Sequence, residues 1–524
     1  LQPEMVLFPE KGALFDDMDM KKQVQNHIRW SRYGDRNEIS LQEAQMRTFN
    51  NFIWRFAQTE GNYNFSSGSR GKGNLSSEAN PYFLFPQIYN FRYNIFSSEW
   101  PVANRVIELY LQKKSENGGW ERQINGISNN EKAVLLLEKR TFKELLVDME
   151  LRNLQNNIVG QEASRLFARA EINMGVEAFR DSLYSLLKRN TFLNIKFENM
   201  LDTLGEISRT DIRSLLGEWE KTTPLPFYSL GEPTLTKITN KGGEEFFVLK
   251  MLISNNSDYD GIIHMDIRKD GWWYQPLEDP RAKTKIEMPA HTSKEFVSVW
   301  EDQIRNVEIN TMVSGNLPNI ISQDINNVKQ ERNKIVKDSI YILPESSFDL
   351  PGEIIVDNED STLFILSAPP IVGLLPKWLD EVEETPFKYS GISWWRPPLQ
   401  WTATTNDRYY GKYIRSAFVI KSGDGSQTAT WKVPVPEVGQ YDLYYHVFKD
   451  DELRWNNNLQ GEYHFKVKYG SEVEDAYVNL RKANEGWEQL GSYYFDSDTV
   501  RVVLTDECKL RSVTADAVKI VKRY

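Results

Sequence analysis

Apolar positions in the first part of the chain recur at helical spacing. From about Asp16 to Trp219 they return every three to four residues, which places them on one side of an α-helix. The clearest set is Val176, Phe179, Leu183, Leu186 and Leu187. The pattern predicts an all-α domain over residues 1–228.

The pattern changes after Pro224-Leu225-Pro226, because proline cannot donate the backbone hydrogen bond that a continuing helix needs. Beyond it, short β-branched and aromatic runs such as Phe246 to Ser254 and Gly261 to Ile267 are separated by turn-forming residues. These runs predict an antiparallel β-sandwich over residues 229–345. The polar stretch Asn319 to Lys337 is predicted to be a solvated helix or loop that leads to a linker near Leu343-Pro344.

The last third of the chain carries eight short, mostly alternating runs separated by turn signals, which is typical of a sandwich or jelly roll. They are Glu353 to Val356, Ser416 to Ile420, Thr428 to Val433, Tyr441 to Val447, Tyr463 to Lys468, Tyr493 to Phe495, Val500 to Leu504 and Ala517 to Val521. The predicted fold is therefore multidomain α+β, with an N-terminal all-α domain, a middle antiparallel β-sandwich and a C-terminal β-sandwich or jelly roll over residues 351–524.

Length and charge narrow the function classes. The 524 residues suggest about three to four domains. A net charge of −11 disfavours nucleic acid as a partner, and no apolar run of about 18 residues predicts a membrane-spanning segment. Cys508 is the single cysteine, so no disulfide can form within the chain. The start at Leu1, without a signal peptide, suggests a processed polypeptide.

Four ordered blocks in the last third resemble the golvesin and xanthan lyase C-terminal domain family, a β-sandwich module described as similar to a carbohydrate-binding domain. The blocks are Pro351 to Asn358, Gly439 to Tyr444, Gly486 to Phe495 and Ala515 to Lys519. The chain departs from the family at Asp496-Ser497-Asp498, where family members usually turn through glycine. The resemblance implies a carbohydrate or cell-surface glycan as partner, and a secreted, periplasmic or cell-surface location in a Gram-negative, Bacteroidetes-like bacterium.

Within these blocks the residues are predicted to have structural roles. Trp487 and Tyr494 are expected to fill the core between the sheets, and Asp516 is expected to hydrogen-bond a neighbouring loop. Sugars stack their C–H faces on aromatic rings, so aromatic and polar side chains elsewhere are the candidate ligand-binding residues. These are Trp394, Trp395, Arg396, Trp401, Tyr409 and Tyr410. Packing against the middle domain and an ordinary surface position are the alternative roles. A second aromatic cluster, Trp272-Trp273-Tyr274, has the same interpretations.

Residues 93–267 resemble aminopeptidase N-like zinc metallopeptidases, through Met174 to Leu183, Phe197 to Leu204 and the exit through Leu225-Pro226. That family needs two histidines one helical turn apart on a His-Glu-x-x-His helix. The corresponding segments contain Glu108 and Glu131 without the histidines, so both glutamates are expected on solvated faces. The sequence predicts no catalytic residue, no metal and no cofactor.

Three hypotheses follow. The first is a non-catalytic envelope or secreted binding protein, a pseudoenzyme with a peptidase-like scaffold and a carbohydrate-binding module. The second is part of a zinc aminopeptidase-like or polysaccharide-degrading enzyme whose catalytic residues lie elsewhere. The third is a structural subunit of a surface or secretion complex, with a protein partner.

Overall fold

The computed structural model describes residues 20–31, 39–49, 94–111, 119–148, 150–190, 193–239, 242–269, 275–277, 279–325, 327–332, 336–344, 352–367, 387–393, 396–449 and 461–523. The chain forms two compact units, residues 1–114 with 162–216, and residues 115–161 with 217–524. The domain boundaries at 228, 345 and 351 stay predictions.

The described α-helices all lie in the first half of the chain. They are α1 (Met20–Ser31), α2 (41–49), α3 (Ala103–Leu111), α4 (Gly119–Asn125), α5 (Asn129–Lys139), α6 (Phe142–Val147), α7 (Gln155–Met174), α8 (Val176–Arg189) and α9 (Phe197–Ser208). Short 3-10 helices span Arg152–Leu154, Arg213–Glu220 and Pro280–Ala282.

The first unit is helical, as the periodicity predicts. The predicted apolar side of α8 is buried at Phe179, Leu183, Leu186 and Leu187. Phe167 of α7 lies 4.7 Å from Tyr110 of α3 and 5.5 Å from Phe179, measured between ring centroids. The unit is not purely helical, however, because β1 (Asn94–Phe96) and β2 (Asn194–Lys196) form a short parallel pair. Three-residue strands are too short to show a period in the sequence.

The described residues in the middle of the chain form eleven strands in two sheets. They are β3 (Tyr228–Leu230), β4 (Thr234–Thr239), β5 (Glu245–Asn255), β6 (Gly261–Lys269), β7 (Gln275–Pro276), β8 (Lys283–Met288), β9 (Thr292–Trp300), β10 (Ile304–Asn310), β11 (Ile320–Asp324), β12 (Val328–Arg332) and β13 (Ser339–Pro344). One sheet has the order β11-β10-β6-β7 with β8 on β6, and the other has β12-β4-β5-β9-β13 with β3 on β5. Side chains of both sheets share one core, including Leu249, Met251, Met265 and Val307.

The prediction of a helix or loop over Asn319 to Lys337 is wrong. This stretch contains β11, antiparallel to β10, and β12, parallel to β4. Both strands lie at sheet edges, and β12 exposes most of its side chains. Edge strands can keep polar side chains in water while their backbones complete a sheet, so polar composition does not exclude them. The β4–β12 pair also makes this sheet mixed rather than purely antiparallel.

The C-terminal part is rich in strands. They are β14 (Glu353–Val356), β15 (Phe364–Ser367), β16 (Thr402–Thr405), β17 (Ser416–Lys421), β18 (Thr428–Pro434), β19 (Gly439–Val447), β20 (Glu462–Tyr469), β21 (Glu472–Asn479), β22 (Gly486–Phe495), β23 (Thr499–Thr505), β24 (Ser512–Ala515) and β25 (Val518–Lys522). All eight predicted runs coincide with strands, and β15, β16, β21 and β24 are additional.

These strands form three sheets. The sheet β14-β25-β19-β22 and the sheet β15-β18-β23-β20-β21 share a core, and β16-β17-β24 forms a third sheet. Trp431 of β18 lies at the centre of that core, with its indole N–H donating to the carbonyl of Asp516 at 3.2 Å. The ring of Tyr445 is 6.2 Å away, on the facing sheet.

Inside the second unit, residues near the start of α5 contact both β regions. Ile127 shares a small core with Leu317, Tyr389 and Ala403. Leu317 in turn exchanges backbone hydrogen bonds with the C-terminal part, where its N–H donates to Tyr413 and its carbonyl accepts from Arg415. We call this cluster, Ile127 with Leu317, Tyr389 and Ala403, the junction core. Among the described helices, none is long and apolar enough to cross a membrane.

Candidate ligand-binding surface

The strand β19 alternates strictly between the core and the outside. Tyr441, Leu443, Tyr445 and Val447 are buried, whereas the residues between them are partly or fully exposed. Successive side chains of a strand point to opposite faces of the sheet, so the second set forms an outer surface. Its members are Gln440, Asp442, Tyr444 and His446.

The neighbouring strands extend this surface. In β22, Trp487 pairs with His446 and Gln489 pairs with Tyr444, while Lys519 of β25 pairs with Tyr444 from the other side. We define the β19 face as the outward side chains from Asp442 to His446, their outward neighbours on β22 and β25, and the adjoining Tyr410 of the β16–β17 loop. It consists of Tyr410, Asp442, Tyr444, His446, Trp487, Gln489 and Lys519.

Three rings meet at one end of the β19 face. The Trp487 centroid lies 5.1 Å from that of Tyr410 and 5.2 Å from that of His446, with interplanar angles of 60° and 77°. Tilted and edge-to-face contacts of this kind stabilise aromatic clusters. The three rings therefore support one another in a partly exposed position.

The charges on the β19 face are internally paired. The ammonium of Lys519 lies 4.9 Å from the Trp487 centroid and 5.4 Å from the Tyr444 centroid, and 3.1 Å from a carboxylate oxygen of Glu353. Further along, Asp442 accepts from Arg523 at 2.7 Å and from Gln489 at 3.0 Å. The hydrogen bond from Arg523 holds the pKa of Asp442 below its ordinary value, so Asp442 is ionised and compensated.

Several polar atoms of the β19 face keep hydrogen-bonding capacity. Within the described part of the chain, no hydrogen bond involves the indole N–H of Trp487, the hydroxyl of Tyr444 or Nε2 of His446. These groups lie beside aromatic rings at a partly exposed surface. The arrangement offers apolar ring surface and unused hydrogen-bonding groups to the same ligand.

A buried carboxylate lies beneath this end of the surface. Asp516 is fully buried, its Oδ2 is 2.8 Å from Nδ1 of His446, and the backbone N–H of Tyr410 donates to both carboxylate oxygens at 3.2 Å. The predicted hydrogen bond of Asp516 to a neighbouring loop is therefore present. Burial raises its pKa, and the contacts with His446 and Tyr410 oppose that shift.

The structure describes only some of the predicted ligand-binding residues. Trp394 and Trp395 lie outside the described residues, as does the Trp272-Trp273-Tyr274 cluster. Arg396 is exposed, and its backbone N–H donates to the carbonyl of Ser393.

The other three candidates are tyrosines and a tryptophan with described surroundings. Trp401 packs against the sandwich core, with an indole N–H that is buried and has no partner among the described residues. Tyr409 is 6% exposed and packs on Phe448. Only Tyr410 reaches the β19 face.

The prediction that Trp487 and Tyr494 fill the core is wrong. Tyr494 is 59% exposed, and the inward positions of β22 are Tyr493 and Phe495. Trp487 lies six residues before Tyr493, an even number, so regular alternation would turn its side chain inward as well. A bulge changes this: Leu443 pairs with Gly491 and Tyr444 with Gln489, which leaves Leu490 as the extra residue. The bulge turns Trp487 onto the β19 face.

The expectation that Glu108 and Glu131 lie on solvated faces is also wrong. Glu108 is 6% exposed and accepts from Arg105 at 3.0 Å. Glu131 is 1% exposed and accepts from Arg122 at 2.9 Å, and it completes a capping box with Ser128. Both carboxylates are held by arginine within the protein. In the described ranges, no group of three or more His, Cys, Asp or Glu side chains is arranged to hold a metal ion.

Likenesses to solved structures are weak. The module TmCBM61 in complex with β-1,4-galactotriose shares 14% identity, over 23% of this chain and 77% of its own, with a TM-score of 0.14. A β-glucuronidase of Bacteroides uniformis shares 10% identity, over 67% of this chain and 39% of its own, with a TM-score of 0.17. TM-scores this low do not establish a shared fold.

Sequence comparison is informative for one segment. A search of curated proteins returns no match. Residues 397–522, which include the whole β19 face, match the Golvesin C-terminal domain family. The predicted resemblance to the golvesin family is thus confirmed over that segment, and the aminopeptidase resemblance stays a prediction. Residues 397–522 are accordingly similar to the Golvesin C-terminal domain family.

Proposed function

We propose that this protein is a non-catalytic binding protein of a bacterial envelope or the extracellular space, and that its C-terminal domain binds carbohydrate through the β19 face. The observation that carries the proposal is the combination of partly exposed rings and unused hydrogen-bonding groups at Trp487, Tyr444 and His446. Pyranose rings present apolar C–H faces and hydroxyl groups together, so a surface of this chemistry suits them.

The extent of the β19 face supports a ligand of several sugar units. It runs along β19 from Asp442 to His446, and strands rise about 3.3 Å per residue. Its two ends differ, with rings around Trp487 and a hydrogen-bonded group around Asp442, Gln489 and Arg523. A chain molecule can place one unit on the rings and hydrogen-bond another at the polar end.

The segment Trp394-Trp395-Arg396 is the competing site. It is predicted from its residue types, because sugars stack their C–H faces on aromatic rings and arginine can bind their hydroxyl groups. The β19 face is preferred because its side chains also have defined neighbours and unused polar atoms. A peptidase-like scaffold for the helical region, and a protein partner, are further parts of the proposal that rest on resemblance.

Substitution of Trp487 distinguishes binding at the β19 face from binding at Trp394, Trp395 and Arg396. A glycan array identifies a ligand, and calorimetry then compares variants. We expect Trp487→Ala to weaken binding about tenfold, because a stacked ring contributes about 1–1.5 kcal/mol. Tyr477→Ala is the matched control, since Tyr477 is 57% exposed on β21 in the other large sheet. It should leave affinity unchanged.

The opposite result would reject the proposed surface. If Trp395→Ala abolishes binding while Trp487→Ala retains it, the segment Trp394-Trp395-Arg396 forms the site. If no glycan binds at all, the proposed function itself is wrong. Chromatography of the bound glycan after incubation tests the non-catalytic part, and new cleavage products would contradict it.

A further inference from the structure

The two nitrogens of the His446 ring have different surroundings. Nδ1 faces the buried carboxylate of Asp516 at 2.8 Å, whereas Nε2 has no hydrogen-bond partner among the described residues. The side chain is 12% exposed and packs edge-on to Trp487. In a neutral imidazole one nitrogen donates and the other accepts, and the partner of one nitrogen decides the role of the other.

An ionised Asp516 can only accept from this ring, whereas a protonated Asp516 could donate to it, and the contacts of Asp516 favour the ionised form. The backbone N–H of Tyr410 donates to both of its oxygens, and Arg415 adds a favourable charge. A second carboxyl, the partly buried Asp357, interacts with Asp516, and desolvation raises the pKa of Asp357 well above its ordinary value. Where two desolvated carboxyls interact, one takes the proton. Asp516 accepts the backbone N–H of Tyr410 at both oxygens and faces the imidazole of His446, so these contacts favour Asp516 as the carboxylate of the two.

We infer that Asp516 fixes the tautomer of His446, so that Nδ1–H donates to Asp516 and Nε2 accepts a hydrogen bond from a hydroxyl group of a neutral glycan. The inference rests on the proposed function and names the ligand class of the same surface. A hydroxyl can donate to Nε2. A carboxylate or sulfate group can only accept hydrogen bonds, so its oxygen would face the lone pair on Nε2 of His446.

The remaining charges of the β19 face favour the same ligand class. The ammonium of Lys519 is paired with Glu353, and both side chains are largely buried. Arg523 is paired with Asp442. An anionic sugar would have to compete with these carboxylates, and it would gain little from cations that are already compensated.

The tautomer can be measured without any ligand. Only five histidines occur in the chain, so 15N solid-state NMR of histidine-labelled protein gives few signals, and His446→Gln identifies the relevant one. At about pH 8.5, where an ordinary imidazole is neutral, we expect a protonated Nδ1 and an unprotonated Nε2. A protonated Nε2, alone or together with Nδ1, would overturn the inference.

Asp516→Asn should reverse the tautomer. The amide oxygen would accept from Tyr410 N–H, which leaves the amide NH2 to donate to Nδ1 of His446, so the ring proton moves to Nε2. If this variant fails to fold, the wild-type spectrum alone still shows which nitrogen of His446 carries the proton. If it folds and Nε2 stays unprotonated, Asp516 does not fix the tautomer.

The ligand class is tested with matched trisaccharides. β-1,4-Linked mannotriose and the β-1,4-linked trimer of mannuronic acid differ only at C6, as do cellotriose and the β-1,4-linked trimer of glucuronic acid. In the wild type we expect at least one neutral trisaccharide to bind about tenfold more tightly than its anionic counterpart. In Asp516→Asn the ratio of these two dissociation constants should be closer to one. Tighter binding of the anionic members overturns the inference. Binding of neither set contradicts the ligand class, whereas the proposed function fails only if no glycan on the array binds, and the tautomer result is independent of both.

Discussion

Glu131→Ala should lower the free energy of unfolding of the second unit by about 3–5 kcal/mol, the effect of removing one partner from a buried ion pair. The side chain of Glu131 is fully buried and accepts three hydrogen bonds, from Arg122 at 2.9 Å and from the backbone N–H groups of Ser128 at 2.6 Å and Asn319 at 2.9 Å. Alanine would leave the guanidinium of Arg122 and two N–H groups without their acceptor.

The location of Glu131 adds to this effect. It caps the first turn of α5, and its bond to Asn319 reaches the segment after β10. Two residues before Asn319, Leu317 belongs to the junction core. Loss of the carboxylate therefore weakens the helix start and the attachment of α5 to the β regions together.

Glu144→Ala provides the matched control. Glu144 holds the same position in the capping box of α6, with Thr141 as the cap, but it lies at the surface. Water can replace its hydrogen bonds, so we expect a much smaller change. Urea unfolding followed by tryptophan fluorescence measures both variants. Equal losses would mean that the contacts of Glu131 beyond its cap contribute nothing.

Gly391→Ala should destabilise the same unit by about 1–3 kcal/mol or more, the usual result of forcing extra atoms into a closely packed contact. A Cβ atom at position 391 would overlap the backbone carbonyl of Ile124 at the end of α4. Backbone cannot rotate away as a side chain can, so the two segments would have to separate. That movement would open the junction core beside Ile127.

Gly160→Ala is the control for the glycine substitution. Gly160 lies in α7, and a Cβ there would meet no atom within 4 Å. Alanine is the better helix former by about 0.5–1 kcal/mol, so this variant should be neutral or slightly stabilised. Differential scanning calorimetry compares the melting temperatures of Gly391→Ala and Gly160→Ala with that of the wild type. A melting temperature of Gly391→Ala equal to that of the wild type would contradict the close approach.

Periodicity predicted much of the fold because burial imposes it. The apolar side of α8 and the eight strand-like runs of the C-terminal part follow directly from alternation between core and water. The strand β12 could not be predicted in this way. Its side chains are polar and exposed, and only its backbone pairing with β4 makes it a strand.

The candidate site was harder to predict, since one residue decides which way Trp487 points. The bulge at Leu490 shifts the alternation of β22, and only Gly491 within a strand hints at it in the sequence. The alternation of Tyr441 to Val447 predicted the strand β19, but its outward positions were not predicted as a binding surface. Their combination with Lys519 depends on strand order, which a local pattern does not contain.

Carbene footprinting with and without the glycan that the array identifies tests the central claim, that carbohydrate binds on the β19 face. We predict that the ligand protects Tyr444 and Trp487 from labelling and leaves Tyr477, on the other large sheet, unchanged. Protection of Trp394 and Trp395 with unchanged labelling of Tyr444 and Trp487 would contradict it.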